Sequence, residues 1–281
     1  MRLSSRGGVV LLHEKKILVT GVITEKSIAF AAAALAQQQG AEVVLSGFGR
    51  GLRITRQVAQ RLPQPADVLE LDLTEPAHLA AAAADLQGRW GRLDGVLHAA
   101  AYAPPDALDG GFLTAGWADV ASAVHVSTYS FVALARTCAP LLKAAGGGSV
   151  VGLDFAGDQV WPGYDWMGVA KSGLESCCRY LAHALGPQGT RVNLVAAGPL
   201  RTVAATAIKS FDDLVRAWHE RAPLAWDETD AEPVGRAVCA LWSGWLPAVT
   251  GEVLHVDGGA HAVGADPVAA RAAGAAPGQP A

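Results

Sequence analysis

The sequence predicts a doubly wound α/β fold, a mostly parallel seven-stranded sheet with helices on both faces. Seven short runs are apolar throughout rather than alternating, as expected of strands covered on both sides. Alanine-rich stretches of helical length separate most of them, which is what parallel strands need for their crossovers. The chain has 281 residues, 51% of them hydrophobic and 17% charged, enough for one substantial core.

The strands are expected over residues 17–20, 42–45, 68–73, 93–100, 149–153, 191–196 and 252–256, with the first helix opening at Ile28. In such sheets a ligand sits beyond the carboxyl ends of the strands, where the strand order reverses, so the residues just after each strand are the ones to inspect. Residues 1 to about 12 show no periodicity and read as a flexible extension. Residues 13–263 read as a single domain, and the Ala, Gly and Pro tail from 264 to 281 cannot offset its ordering entropy, which predicts disorder.

A formal net charge of -4 gives no long-range field for nucleic acid or anionic lipid. Apolar stretches such as 28–36 and 79–84 fall far short of the ~20 residues that span a bilayer. Residues 9–12 are too short for a signal-peptide core, so a soluble, cytoplasmic protein is expected. Cys138, Cys177, Cys178 and Cys239 have neither CxxC pairing nor metal spacing and read as reduced, packed thiols. No metal site is expected.

The loop after the first strand, TGVITEKSIA at residues 20–29, sits where a dinucleotide fold holds a pyrophosphate, yet it contains one glycine. Backbone N–H groups at a helix N-terminus bind phosphate, and one glycine suffices for the turn. Gly21 fits that role. Ser27 is placed to donate its hydroxyl to phosphate while its own N–H caps the helix. A plain capped helix after a strand fits the same residues. Asp72, in LELDL, is positioned to accept from an adenine amino group, and Phe48, after VVLSG, to cover the adenine face. Where many dinucleotide folds place an acid for the ribose there is none. Arg50 and Arg53 lie nearby, suited either to a 2′-phosphate or to an ordinary solvated face, which leaves NADH against NADPH open.

In WPGYDWMGVAKSGLES, Tyr164 and Lys171 stand seven residues apart, almost two helical turns, so both fall on one face. A phenol donates to an oxygen that gains negative charge, and a nearby ammonium fixes a ribose. The glycine-poor loop, the Tyr-x6-Lys pair, NLVAAGPLRT at 193–202 and TGEVLHVDGGAH at 250–261, in that order, resemble the NAD(P)H-dependent enoyl-acyl carrier protein reductases of the short-chain dehydrogenase/reductase superfamily, and most closely their actinobacterial branch. The resemblance runs from about Lys16 to His261. Carbonyl reductases of that superfamily carry further loop glycines, a Tyr-x3-Lys pair and a serine thirteen residues before the tyrosine. Here those positions hold Glu25, Ser27, Gly168 and Val151.

The resemblance implies a Rossmann-like enzyme that transfers hydride from NADH to the β-carbon of a trans-2-enoyl thioester. It implies Gly21, Ile23, Ser27, Ile28 and Thr202 around the pyrophosphate, and Phe48, Asp72 and Leu73 around adenine. Ala99, Ala101, Val126 and Leu153 would line the nucleotide, with Ala197, Gly198, Pro199 and Leu200 bracketing the nicotinamide. Lys171 would bind the nicotinamide ribose, Tyr164 the thioester carbonyl, and Phe155 would stand near the hydride path or simply pack in the core. Tyr102, Trp161, Met167, Ala205, Phe211, Leu214, Val215 and Trp218 would face the acyl group.

The last four of these recur at i, i+3, i+4 and i+7 within the segment 203–220, which suits either a lid over the acyl chain or an amphipathic helix packed on the core. The segment is short beside mycobacterial relatives, which favours short or medium acyl groups. Lys209, Arg216, His219 and Arg221 suit a basic rim for an acidic acyl carrier protein, or a solvated helix face. A homotetramer is implied, with VCALWSGWL at 238–246 as either an interface or a core helix. Two other functions stay open: a reductase of a C=C or C=N bond in a specialised metabolite, and a non-catalytic NAD(H)-binding protein.

Overall fold

The computed structural model describes residues 10–264 apart from 204, 206 and 207. All but Gly264 of the tail predicted to be disordered, 264–281, and the first nine residues of the predicted extension lie outside the described residues. The remainder of that extension is anchored: Leu12 is fully buried, its N–H donates to Gln39 O at 2.9 Å, and Leu11 N–H reaches Gln39 Oε1 at 3.1 Å. The polar stretch that follows it hides from sequence inspection that Leu12 joins the core, with Leu11 packed against it.

All seven expected strands form: β1 (Lys16–Val19), β2 (Glu42–Gly47), β3 (Val68–Glu70), β4 (Gly95–His98), β5 (Ser149–Asp154), β6 (Arg191–Ala197) and β7 (Val253–Val256). They make one sheet in the order β3-β2-β1-β4-β5-β6-β7, and every pairing is parallel. The order reverses between β1 and β4. There, Thr20 Oγ donates to Leu97 O at 3.0 Å and accepts from Ala99 N–H at 3.0 Å, stitching the two strand ends together.

Successive β1 residues serve opposite layers, as pleating demands. Ile17 and Val19 pack with α1 (Ile28–Gln38), α2 (Gly49–Ala59) and the later helix α8 (Glu232–Trp242). Leu18 packs with α3 (Pro76–Arg89), α5 (Ser130–Ala144) and α6 (Asp165–Leu185) on the other side. The alanines of α1 are there for close approach: a Cβ on Gly235 of α8 would lie 2.9 Å from Leu35 Cδ1 and 3.1 Å from the Ala31 carbonyl carbon. Between the alternatives for 238–246, the core helix holds for Val238, Cys239, Leu241 and Trp242, all buried, while Trp245 is exposed. Trp242 fills the space over Gly95 and donates to Val96 O at 3.3 Å.

The helix α4 (Trp117–Val124) runs into α5 through one π-helical stretch, His125–Tyr129. Such widened turns let neighbouring side chains leave the helix at unusual angles. Here Ser127 Oγ accepts from Tyr102 N–H and donates to Tyr102 O, both at 2.9 Å, and Thr128 Oγ donates to Ala170 O at 2.6 Å. Among the described residues no helix is long and apolar enough to cross a membrane. The four cysteines are unpaired, as expected.

Candidate active site

A cavity of about 820 Å³ opens beyond the carboxyl ends of β1, β2, β4 and β5, the place the topology predicts. One end is walled by Phe48, Asp72 and Leu73, the other by Tyr164, Lys171 and Phe155, with the first turn of α1 between them. An elongated crevice with an acid at one end, a helix N-terminus in the middle and a buried ammonium at the other fits a dinucleotide.

The single loop glycine is required. Gly21 has φ +80°, and a Cβ there would lie 2.1 Å from Ala99 O. The side chain at one missing-glycine position leaves the crevice altogether, since Glu25 pairs with Arg61 on the surface. The other position departs from expectation. The Ser27 hydroxyl donates to Thr24 O at 2.7 Å and accepts from Phe30 N–H at 3.2 Å, so it is the N-cap of α1 through its oxygen, and its proton is engaged within the loop. Its own N–H turns back to Thr24 O at 3.1 Å. What Ser27, Ile28 and Ala29 offer the cavity is the first turn of the helix itself. Thr55 Oγ holds the same loop from below, donating to Val22 O at 2.7 Å.

At the other end Asp72 Oδ1 is committed to Thr74, accepting from its N–H at 2.9 Å and its hydroxyl at 2.7 Å. Oδ2 has no partner among the described protein residues. Phe48, half exposed, begins α2 at the cavity edge. Arg50 lines the crevice and Arg53 does not.

Tyr164 and Lys171 both reach the cavity, but not along one uninterrupted helix. Asp165 has φ 41°, in the left-handed region, so the chain turns sharply between Tyr164 and α6. The Asp165 carboxylate accepts from Gly110 N–H at 2.6 Å, which ties down that turn. Lys171 is almost fully buried and donates to Leu153 O at 2.8 Å. Its pKa is lowered, because burial outweighs the opposing effect of the Asp154 carboxylate 3.9 Å away. Burial, with a contribution from Asp154, pushes the Tyr164 phenol well above its ordinary value, so it is a proton-bearing donor. Asp154 lines the cavity and went unnoticed in the sequence, where nothing marks an acid at a strand end as facing inward.

Ile23, Ala99, Ala101, Val126, Leu153 and Thr202 also lie on the cavity wall, with Tyr102 at its edge. Ala197, Gly198, Pro199 and Leu200 do not. Gly198 N–H donates to Val256 O at 3.0 Å and Pro199 O accepts from Trp226 Nε1 at 2.8 Å, while Trp218 and Trp226 occupy the space a Gly198 Cβ would need. Nor do Trp161, Met167, Ala205, Phe211, Leu214, Val215 or Trp218 line it. The apolar face of α7 (Phe211–Arg221) is packed inward, its four large apolar residues all buried, so of the two readings of this segment the core-packed helix is the one observed. The basic residues beside it have partners: Lys209 with Asp109, Arg216 with Asp213, His219 with Glu228, and Arg221 with the carbonyls of Ala260 and Val263. Among the described residues no cluster suited to a metal ion occurs.

The sequence profile of a family described as enoyl-(acyl carrier protein) reductase matches residues 21–261, spanning the loop, the Tyr–Lys pair and the last strand. The chain belongs to the enoyl-(acyl carrier protein) reductase family. It is 44% identical to the NADH-dependent enoyl-[acyl-carrier-protein] reductase of Mycolicibacterium smegmatis over 264 residues, covering 89% of this chain and 97% of that relative. The corresponding enzyme of Mycobacterium avium is 43% identical over 263 residues, with the same two shares. That of Escherichia coli is 37% identical over 251 residues, or 88% of this chain and 94% of the relative. Enoyl reductase membership agrees with the substitutions that separate this loop and this Tyr-x6-Lys pair from those of carbonyl reductases.

Proposed function

We propose that the protein is an NADH-dependent enoyl-thioester reductase, saturating the α,β-double bond of a trans-2-enoyl group on acyl carrier protein or coenzyme A in fatty acid or related acyl-chain synthesis. The observation that carries the reading is the convergence of Tyr164 and Lys171 at the end of a dinucleotide-shaped crevice, in a chain of this family. NADH, when bound, supplies the hydride. Lys171 keeps two N–H donors beyond its bond to Leu153 O, and these suit the vicinal hydroxyls of a ribose. Asp72 Oδ2 suits an adenine amino group. Tyr164, held neutral by its surroundings, donates to the thioester carbonyl oxygen, which becomes negative as the β-carbon is reduced. The α-carbon then takes a proton that comes ultimately from solvent, which balances the hydride added at the β-carbon.

Short or medium acyl groups suit a site whose wall beside Tyr164 is Phe155, backed by Trp161 and Trp218. An acyl carrier protein as donor is part of the proposal, although the basic groups of α7 are already paired, which leaves docking to shape as much as to charge. A homotetramer is also part of it, supported by the exposed aromatics Trp117 on α4 and Tyr180 on α6. The unpaired thiols support a reducing, cytoplasmic setting.

The test is to follow oxidation of NADH, and separately NADPH, with trans-2-enoyl thioesters of increasing length against β-ketoacyl controls. Oxidation by the enoyl series alone, faster with NADH, supports the reading. The same aromatic wall favours one second reading, a compact C=C or C=N acceptor from specialised metabolism, which a panel of such acceptors would distinguish. Nucleotide binding without turnover on any acceptor would support a non-catalytic role.

A further inference from the structure

Lys171 and Asp154 form a buried opposite-charge pair with unusual geometry. Their side chains are 6% and 0% exposed, yet Nζ and Oδ1 stand 3.9 Å apart, beyond hydrogen-bond reach. Lys171 gives one N–H to Leu153 O, while neither Asp154 oxygen has a partner of good hydrogen-bond geometry among the described residues; the Phe155 N–H and the Glu175 carboxyl lie close enough to act on it. A buried carboxylate without donors is costly, and most such groups are satisfied. It ends β5 on the cavity wall, beside Lys171 of α6.

We propose that Asp154 is a positioning residue for Lys171: its carboxylate is the counter-charge that keeps the lysine an ammonium, aimed into the crevice, before and during nucleotide binding. The inference rests on the proposed nucleotide site and goes further, since it makes affinity for the nucleotide depend on a carboxylate whose side chain is fully buried. The groups that face Asp154 are the backbone N–H of Phe155, Lys171, Glu175 and Cys178 on α6 and Tyr164 before it, while His98 on β4 feels the charge of Lys171. Burial pushes the Asp154 carboxyl up from 3.8 to about 7, Lys171 draws it down and Glu175 raises it, so Asp154 carries its charge chiefly from neutral pH upward, the range in which it acts on Lys171. Glu175 is itself anchored, accepting from Gly157 N–H at 2.8 Å. Burial disfavours the charged lysine, and Asp154 is the charge that offsets it.

If the lysine must be charged to hold a ribose, nucleotide affinity falls at alkaline pH as Lys171 loses its proton. Removing the counter-charge brings that fall to lower pH. The experiment measures NADH dissociation constants by fluorescence from neutral to alkaline pH for the wild type, Asp154→Asn and Glu175→Gln. Asp154→Asn is expected to move the alkaline fall down by about one pH unit or more, weakening binding about tenfold within that window. Glu175→Gln keeps the acceptor for Gly157 and is expected not to move it down. A general loosening of the buried cluster would instead affect both variants alike and at every pH.

Superimposable profiles for wild type and Asp154→Asn would overturn the proposal. Where Asp154→Asn does not fold, carboxyl-carbon and lysine-nitrogen NMR on the wild-type protein decides: titration of Asp154 must be reported by Lys171 Nζ, and an unresponsive Nζ overturns the proposal. A wild type that binds NADH but reduces no enoyl thioester would refute the proposed reaction without touching the Lys171–Asp154 relation.

Discussion

Trp161 and Trp218 meet with ring centroids 4.9 Å apart, and their indole N–H groups are fixed on Ala156 O at 2.8 Å and Asp257 O at 3.1 Å. Phe155 joins them at 5.1 Å from Trp161 and 5.4 Å from Trp218, and touches Tyr164 at 5.3 Å. The cluster binds α7 to the segment before Tyr164 and backs Phe155 against the Tyr164 ring. An anchored aromatic cluster is a rigid wall.

Trp161→Ala is therefore expected to lengthen the acyl chain the enzyme accepts, raising kcat/KM for longer enoyl thioesters relative to the shortest. Loss of the ring also costs stability, on the order of 3–5 kcal/mol. A chain-length series and urea denaturation check both parts.

Asp165 supports Tyr164 at the expense of local strain. Its φ of 41° lies in the left-handed region, and its carboxylate accepts from Gly110 N–H at 2.6 Å. Asp165→Asn keeps both the tolerance of that conformation and an acceptor, so near-native melting is expected. Asp165→Ala keeps neither and is expected to lose about 1–3 kcal/mol, with slower turnover as Tyr164 shifts. Thermal denaturation beside kcat measures the two effects.

Gly21→Ala brings a Cβ to 2.1 Å from Ala99 O at a φ of +80°. The β1 and β4 ends cannot separate without breaking the Thr20 hydrogen bonds to Leu97 and Ala99. The expected outcome is loss of NADH binding by more than tenfold, read by fluorescence titration, with a reduced melting temperature.

Tyr164→Phe removes a donor and little volume. Turnover is expected to drop by about two to three orders of magnitude, with NADH affinity nearly unchanged. Lys171→Ala is expected to lose nucleotide binding as well. Full activity in either variant would remove that residue from the machinery.

His98 sets an acid limit on stability. It is fully buried, its Nε2 bonds Ser130 Oγ at 2.7 Å, and burial, aided by the charge of Lys171, pushes its pKa from 6.5 down to about 3. A depressed folded-state pKa contributes stability that is present above pH 6.5 and lost as pH falls through that window toward 3. His98→Gln, which does not titrate, is expected to flatten this part of the stability profile. Denaturant midpoints measured across that range test it.

Much of this was legible in the sequence because it depends on short-range pattern. The strands showed as continuous apolar runs, and Gly21, Tyr164 and Lys171 stood where a switch-point crevice needs them. What stayed hidden depends on contacts across the fold. Ser27 reads as a phosphate donor until its proton is seen to be held by Thr24 O. Asp154 is an acid at a strand end until the fold places it beside Lys171. The residues of α7 have the same spacing whether they cover a ligand or the core, and it is the burial of all four, with Trp218 against Trp161, that separates the two. Lys209 and His219 look like a free basic rim until Asp109 and Glu228 are brought to them from elsewhere in the chain.

The most direct test of the central claim is where the hydride goes. The protein would be incubated with a short trans-2-enoyl thioester and NADH carrying deuterium at the transferable C4 position, and the product examined by NMR. Deuterium on the β-carbon of a saturated thioester is the predicted result. Unreacted enoyl thioester beside demonstrated NADH binding, or label on a carbonyl carbon when a keto substrate is supplied instead, would contradict it.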